Sequence, residues 1–348
     1  MEKRIRKNLE RKNSISLSRF MNLCLYKKNI GFYEKNIIGS HFVTSPEISQ
    51  VFGECVALFF LTTLSSIRTY NFIELGPGNG TLMVDVIRTF SNLSNEKFSF
   101  FLYEKSKYLK KIQEESLKDY HSKKSKIIQL NKLKLEKKPY VFFCNEFFDA
   151  LPINQYLKKE NSIYEKRIIF QEDKLQSIYK KTNNMKFNNL SNGDIVEYSP
   201  LTNLYLRKIF KHIKSYGGAV LIFDYGPFKK KLISTVQALY RSKKCSIFDH
   251  PFESDITYHV DFNNIKKISK EYKLKYLGPI TQKQFLFFYG INERIYNLSL
   301  KTKSKKKMEN LYSQFKRLTD PNGMGDLFKC IFISRNRLEL PAFSKNYK

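Results

Sequence analysis

The sequence predicts an α/β fold on a mostly parallel sheet, and three observations point there. Short apolar runs alternate with helical apolar periodicity along most of the 348 residues. A strand, a glycine-rich turn and a helix follow one another around Gly76, Gly78 and Gly80. Polar residues recur where successive strands should end: Glu74, Glu104, Asn145, Glu146, Asp149 and Asp224. Ligands of such sheets bind beyond the C-terminal strand ends.

Taken in order, residues 1–13 are charged and expected to fray. Ser14 or Ser16 is placed to cap a helix carrying Leu17, Phe20, Met21, Cys24 and Leu25. A loop to His41 follows. Thr44-Ser-Pro-Glu47 predicts a helix start, with Thr44 and Glu47 forming a capping box and Pro46 in the first turn. Ile48, Val51, Phe52, Cys55, Val56 and Phe59 fall on one face of that helix, which should pack against the first strand.

Strands are expected at 70–73, 97–103, 126–130, 139–144 and 218–223. The run 139–144 is apolar throughout, as a central strand would be. Leu82, Met83, Val86, Ile87 and Phe90 mark the helix after the first strand, and Leu109, Ile112 and Leu117 the helix after the second. An insertion at 157–198 reads as a hairpin, with strands 162–170 and 175–180 about the polar turn 171–174. A second, at 227–262, carries Arg241, His250, Asp255, His259 and Asp261 among aromatics. His250 and His259 would serve equally as ordinary surface or core histidines. A strand at 274–280, an amphipathic helix at 282–290, a basic helix around 296–317 and a strand at 328–334 complete the chain. The expected division is a helical region 1–64, a main domain 65–335 holding both insertions, and a tail 336–348.

The glycine turn carries the chemistry. Glycines let the chain bend sharply and let a ligand touch main chain, and the helix start offers free N–H groups. The dinucleotide fingerprint is G-x-G-x-x-G. Here the third glycine comes one residue early, at Gly80, and Glu74 closes the strand just before the turn. A pyrophosphate would be repelled by that carboxylate, whereas an ammonium group would be attracted. Glu74-x-Gly76-x-Gly78-x-Gly80 resembles motif I of S-adenosylmethionine-dependent methyltransferases, with Glu74 near the methionine amine; a glycine turn without a ligand is the plain alternative. Glu104, at the end of the second strand, is placed to accept from both ribose hydroxyls of an adenosine, or to serve as a simple helix-start acid.

Composition narrows the class. The hydrophobic fraction of 42% and the aromatic fraction of 15% are those of a globular chain. The longest apolar runs are too short to span a bilayer, and no signal-peptide core follows the start. Five scattered cysteines without a C-x-x-C pair argue for neither a disulfide framework nor a zinc site, so no metal is expected and a reducing compartment fits best. The net charge of +30 fits either a polyanion partner or a compositional bias; the lysines and arginines are spread along the chain rather than gathered in one stripe.

Together these segments resemble the MidA-like S-adenosylmethionine-dependent methyltransferases, which include the mitochondrial complex I assembly methyltransferase and bacterial relatives. The resemblance rests on Thr44-Ser-Pro-Glu-Ile-Ser-Gln-Val-Phe-Gly-Glu54, on Glu74-Leu-Gly-Pro-Gly-Asn-Gly-Thr-Leu-Met83 and on Asn145-Glu-Phe-Phe-Asp-Ala-Leu-Pro152. Asp224-Tyr-Gly226, Asp255-Ile-Thr-Tyr-His-Val-Asp-Phe262, Leu277-Gly-Pro-Ile-Thr-Gln282 and Met324-Gly325 extend it over roughly residues 14–335. The family commonly has Arg where Asn79 stands. The resemblance implies a class I, Rossmann-like methyltransferase fold with a seven-stranded sheet ending in an antiparallel hairpin. It also implies S-adenosylmethionine as cofactor and methylation of a protein arginine, with a complex I subunit as the mitochondrial member's target.

The expected cofactor residues are Glu74, Gly76, Gly78, Gly80, Glu104 and Asn145. Asp224, His259 and Asp261 are expected to meet the substrate. Glu146, with Asp149 supporting, is expected to grip the acceptor guanidinium; the alternative is that both cap a helix opening at Phe147. Nucleic-acid methylation is the first rival, yet the Pro-Pro-aromatic that should follow an Asn at this strand end is replaced by Glu-Phe-Phe. A non-catalytic assembly factor is the second. A protein substrate is the expected partner, with a homodimer left open. The expected location is the cytoplasm in a bacterium or the mitochondrial matrix in a eukaryote.

Overall fold

The structure, a computed structural model, describes residues 13–39, 43–183 and 190–344. Most of the N-terminus expected to fray, the loop around His41 and the end of the C-terminal tail lie outside the described residues. Seven strands form the central sheet: β1 (Asn71–Leu75), β2 (Phe98–Tyr103), β3 (Ser125–Leu130), β4 (Tyr140–Asn145), β5 (Gly218–Tyr225), β6 (Lys275–Thr281) and β7 (Phe328–Ser334). Their spatial order is β3-β2-β1-β4-β5-β7-β6. The first five run parallel, while β7 pairs antiparallel with both β5 and β6. The middle position of β4 is the one its unbroken apolar run predicts. The closing antiparallel pair is not a tight hairpin, because the helices from Gln282 to Leu327 lie between its strands.

Alternate residues of each strand enter opposite cores. Phe72, Phe100, Val141, Phe143 and Leu221 face one layer with the helices Gln50–Ile67 and Thr81–Leu93. Ile73, Phe101, Phe142, Val220 and Ile222 face the other, beneath Pro200–Tyr216 and Phe262–Glu271. The Phe60 and Phe72 rings lie 5.2 Å apart, so the first long helix packs on β1 as its apolar face predicts. By composition that helix, Gln50–Ile67, is long and apolar enough to cross a membrane. Its Val51, Phe52, Phe59 and Phe60 are buried in the core instead.

A third, smaller core joins the N-terminal helix Leu17–Tyr26, capped by Ser16, to the insertions. Strands Ser162–Gln171 and Lys174–Thr182 form the expected hairpin, its turn residues Glu172 and Asp173 both at positive φ. Their sheet also takes in Asn154–Lys159, Ile195–Tyr198 and the short strand Ile15–Ser16.

Two expected elements differ, and a helix raised only as an alternative is absent. The helix from Thr44 to Phe59 is two helices, Ser45–Ile48 and Gln50–Ile67, parted by Ser49 in an extended conformation. The capping box at its start is absent: the Thr44 side chain makes no cap bond, and Glu47 is drawn instead to Asn79 and Thr81. The basic helix around 296–317 is broken into Ile291–Leu300 and Lys305–Thr319. Finally, no helix opens at Phe147. The segment after β4 is a turn, in which Phe148 N–H donates to Asp224 Oδ2 at 2.9 Å.

Candidate active site

β1 runs into a turn in which Gly76, Gly78 and Gly80 all have positive φ, at 66°, 55° and 85°. A Cβ on Gly76 would lie 2.7 Å from the Phe147 ring, and one on Gly78 would lie 3.0 Å from Ile38. Crowding and the left-handed backbone therefore both require glycine. The turn is held in place by Gly76 N–H donating to Tyr103 O at 3.0 Å and by Gln113 Nε2 donating to Gly78 O at 2.6 Å. Helix Thr81–Leu93 then starts without a side-chain cap, leaving its first amides free.

Asn79 fastens a neighbouring segment onto this turn. Its side chain accepts from Ile38 N–H at 3.1 Å and donates to Ile38 O at 2.7 Å and to Glu47 Oε1 at 3.1 Å. Glu47 Oε1 also accepts from Thr81 Oγ1 at 2.6 Å. Neither Asn79 nor Glu47 was singled out for this work by the sequence, since only the folded chain brings Ile38 beside them.

A cavity of about 650 Å3 opens beyond the strand ends, and Glu74, Gly76, Gly78, Glu104, Asn145, Glu146 and Asp149 all line it. Glu74 is 2% exposed, and its Oε2 has no hydrogen-bond partner. Burial, with the nearby Glu104 charge, pushes its carboxyl up to about 8. Asn145 Oδ1, at the end of the adjacent strand, is likewise buried and unpartnered. Two acceptors with nothing to accept from are the arrangement an ammonium group satisfies. Glu104 accepts from Lys105 and Ser106 N–H at 2.6 and 2.8 Å, and burial pushes it up to about 7 against those two bonds. The cap of the following helix is Ser106, so Glu104 precedes the helix without being its N-cap.

Glu146, Asp149 and Asp255 line the same cavity together with Tyr26 and Tyr33. Glu146 has a left-handed backbone, φ 52°, a conformation that costs strain for a residue with a side chain. Its Oε1 accepts from Ser45 N–H at 3.2 Å and Asn145 Nδ2 at 3.1 Å, and burial pushes it up to about 8. Asp149 Oδ1 is buried without a partner. Burial and the neighbouring charges of Asp224, Glu146 and Asp255 hold its carboxyl well above the usual range. Neither side chain caps a helix, since none begins there.

Three expected substrate residues are placed elsewhere. Asp224 is 0% exposed and accepts from Phe148 and Tyr225 N–H, both at 2.9 Å; it holds up the turn rather than facing the cavity. Asp261 caps helix Phe262–Glu271 through Asn263 and Asn264 N–H. The His259 ring packs edge-on to Tyr225 at 4.5 Å, and neither it nor Asp261 lines the cavity.

The sequence missed Tyr26 and Tyr33 as cavity residues, and it marked Asp255 only as one of several insertion residues that could meet a substrate. The Tyr33 hydroxyl donates to Asp255 Oδ1 at 2.6 Å, and the Tyr26 hydroxyl to Ala150 O at 2.9 Å. Nothing local marks the two tyrosines, which arrive from more than 120 positions away.

Residues 55–280 match the family model described as "Putative S-adenosyl-L-methionine-dependent methyltransferase". The chain is 30% identical to the protein arginine methyltransferase NDUFAF7, mitochondrial, of Xenopus tropicalis, covering 95% of this chain and 86% of that one. With the corresponding homolog of Caenorhabditis elegans it is 29% identical, over 90% of this chain and 80% of that one. In architecture it is similar to a COG1565 superfamily member and likely methyl transferase of Burkholderia thailandensis, solved with S-adenosyl-homocysteine. The TM-score is 0.84 at 22% identity, covering 98% and 93% of the two chains. With the family match spanning most of its length, the chain belongs to the MidA-like family of S-adenosylmethionine-dependent methyltransferases.

Proposed function

We propose that this enzyme methylates the guanidinium group of an arginine in a protein substrate. The carrying observation is the set of unpaired acids inside the cavity, which an arriving cation would hold ionised. Glu47, Glu74, Glu104, Glu146, Asp149 and Asp255 line it against three basic residues, Lys105, Lys244 and Arg317, and none of the six acids forms an ion pair among the described residues, although the chain as a whole carries +30. Unpaired buried carboxylates are costly unless a cation arrives. The cofactor's ammonium would meet the first of them and a cationic acceptor the others. The relatives' printed name, protein arginine methyltransferase, agrees with a cationic acceptor.

In this reading Glu74 and Asn145 hold the methionine amine of S-adenosylmethionine, the Gly76–Gly78–Gly80 turn admits its body, and Glu104 takes the ribose. When bound, the cofactor supplies an electrophilic sulfonium methyl. Glu146, kept in place by Ser45 and Asn145, grips two guanidinium N–H groups, draws positive charge toward them and aims the third nitrogen. The cationic acceptor would hold the neighbouring Asp149 ionised, and its unpartnered Oδ1 then takes the proton displaced from the methylated nitrogen, after which its buried surroundings favour the protonated form.

A complex I subunit as substrate, and a mitochondrial or bacterial cytoplasmic location, rest on the family resemblance and on the relatives' mitochondrial names. The deciding experiment is mass spectrometry of methylated proteins after deletion of the gene. Loss of a methylarginine supports this function; loss of an RNA methyl mark with every methylarginine intact replaces it with nucleic-acid methylation.

A further inference from the structure

Beyond β5 the chain leaves the sheet in a loop, residues 227–234, that is apolar on the outside and anchored from within. Phe228, Leu232 and Ile233 are 52%, 44% and 52% exposed, and Leu327, from the segment entering β7, is 44% exposed. The Gly226 N–H to Leu327 O bond, 3.2 Å, joins the two segments, and Leu327 also lines the cavity. The apolar surface is therefore continuous with the mouth of the active site.

This loop is fixed rather than free. Lys230 reaches inward, with Nζ 2.9 Å from Glu197 Oε2 and 2.7 Å from His259 O. Ile195 N–H donates to Leu232 O at 2.9 Å, and Gln155 Nε2 donates to Ser234 Oγ at 2.8 Å. The Phe228 ring lies 4.6 Å from Lys329 Nζ, a cation–π contact. With Lys230 committed to the interior, Lys229 and Lys231 remain exposed and form no ion pair among the described residues. The mouth thus pairs exposed apolar groups with cations, while acids outnumber the basic Lys105, Lys244 and Arg317 in the lining of the cavity behind it.

We propose that this loop and Leu327 dock the chain flanking the acceptor arginine, and that they select apolar residues next to it and acidic residues just beyond. The inference rests on the cavity being a guanidinium site. An apolar neighbour would cover Phe228 and Leu327, removing exposed surface from water. Acidic residues would meet Lys229 and Lys231, which would also hold back cationic segments lacking such flanks.

The test is fluorescence anisotropy of labelled heptapeptides with the full-length protein and S-adenosylhomocysteine. One peptide has a central arginine, leucines beside it and aspartates at its ends. A second replaces the leucines by serine, and a third the aspartates by lysine. The first should bind about tenfold more tightly than either of the others. Phe228→Ser should erase the leucine preference, and Lys229→Glu with Lys231→Glu should reverse the aspartate preference, with thermal melting unchanged in both. Equal affinities, no binding of the first peptide, or discrimination intact in the variants overturns the proposal. A citrulline peptide tests the underlying reading separately. If citrulline binds as tightly as arginine while the flank preference persists, the guanidinium assignment fails and the docking surface stands.

Discussion

The Ser45 amide donates to Glu146 Oε1 at 3.2 Å across 101 positions of sequence. Two residues on, Glu47 binds Asn79 and Thr81 at the glycine turn. The short helix Ser45–Ile48 therefore braces the turns after both β1 and β4. This gives a physical reason for the three motifs to occur in one chain: each holds a side chain or an amide of another.

If Glu146 grips the acceptor, Glu146→Gln should keep cofactor affinity near normal and lower methyl transfer by about a hundredfold or more, as for loss of one electrostatic catalytic group. The amide oxygen can still accept from Ser45, so the fold should hold. Single-turnover rates beside cofactor titration separate the two effects, and a wild-type rate would end the assignment.

Asn79→Ala removes two bonds to Ile38 and one to Glu47, each worth about 0.5–1.5 kcal/mol. Ile38 should loosen over the glycine turn. We expect faster hydrogen exchange at residues 37–39 and about tenfold weaker S-adenosylhomocysteine binding. An unchanged dissociation constant would show that Ile38 is not part of the ligand's wall.

Gly78→Val forces a branched side chain into a left-handed backbone beside Ile38. That conformation costs about 1–2 kcal/mol. Melting should fall by several degrees while the cooperative transition survives, and calorimetry should detect no cofactor binding. Retained affinity would move the cofactor away from this turn.

The raised carboxyls make a prediction about pH. Glu74 and Glu146 are pushed up to about 8, and Glu104 and Asp224 to about 7. Across the range from the ordinary carboxylate value near 4.5 up to about 8, the folded protein holds more protons than the unfolded chain. The stability of the ligand-free protein should therefore fall as pH rises through that window. Binding of the cofactor's ammonium favours ionised Glu74, so at about pH 7 it should release close to one proton. Calorimetry in two buffers of different ionisation enthalpy measures that release, which Glu74→Gln should abolish.

The sheet and the glycine turn were legible because their causes are local. Short apolar runs marked the strands, with the unbroken run of β4 pointing to the centre, and the three glycines announced a turn whose positive φ values glycine adopts freely. The carboxylates at the strand ends were legible as positions, since a strand's end follows from its apolar run. Their directions were not. Asp224 and Glu146 both stand at strand ends, yet Asp224 turns inward to hold amides while Glu146, at φ 52°, faces the cavity. Which way such a side chain points depends on the backbone of the turn and on partners far along the chain, and neither leaves a periodic trace. The same reason hid the break at Ser49 and the drawing of Glu47 away from its capping box toward Asn79 and Thr81. Sequence alone settled the sheet and the end of it where a ligand would bind. Tertiary contact decided which polar groups face the cavity, because the long-range bonds of Ser45 to Glu146 and Tyr33 to Asp255 exist only once the layers have closed.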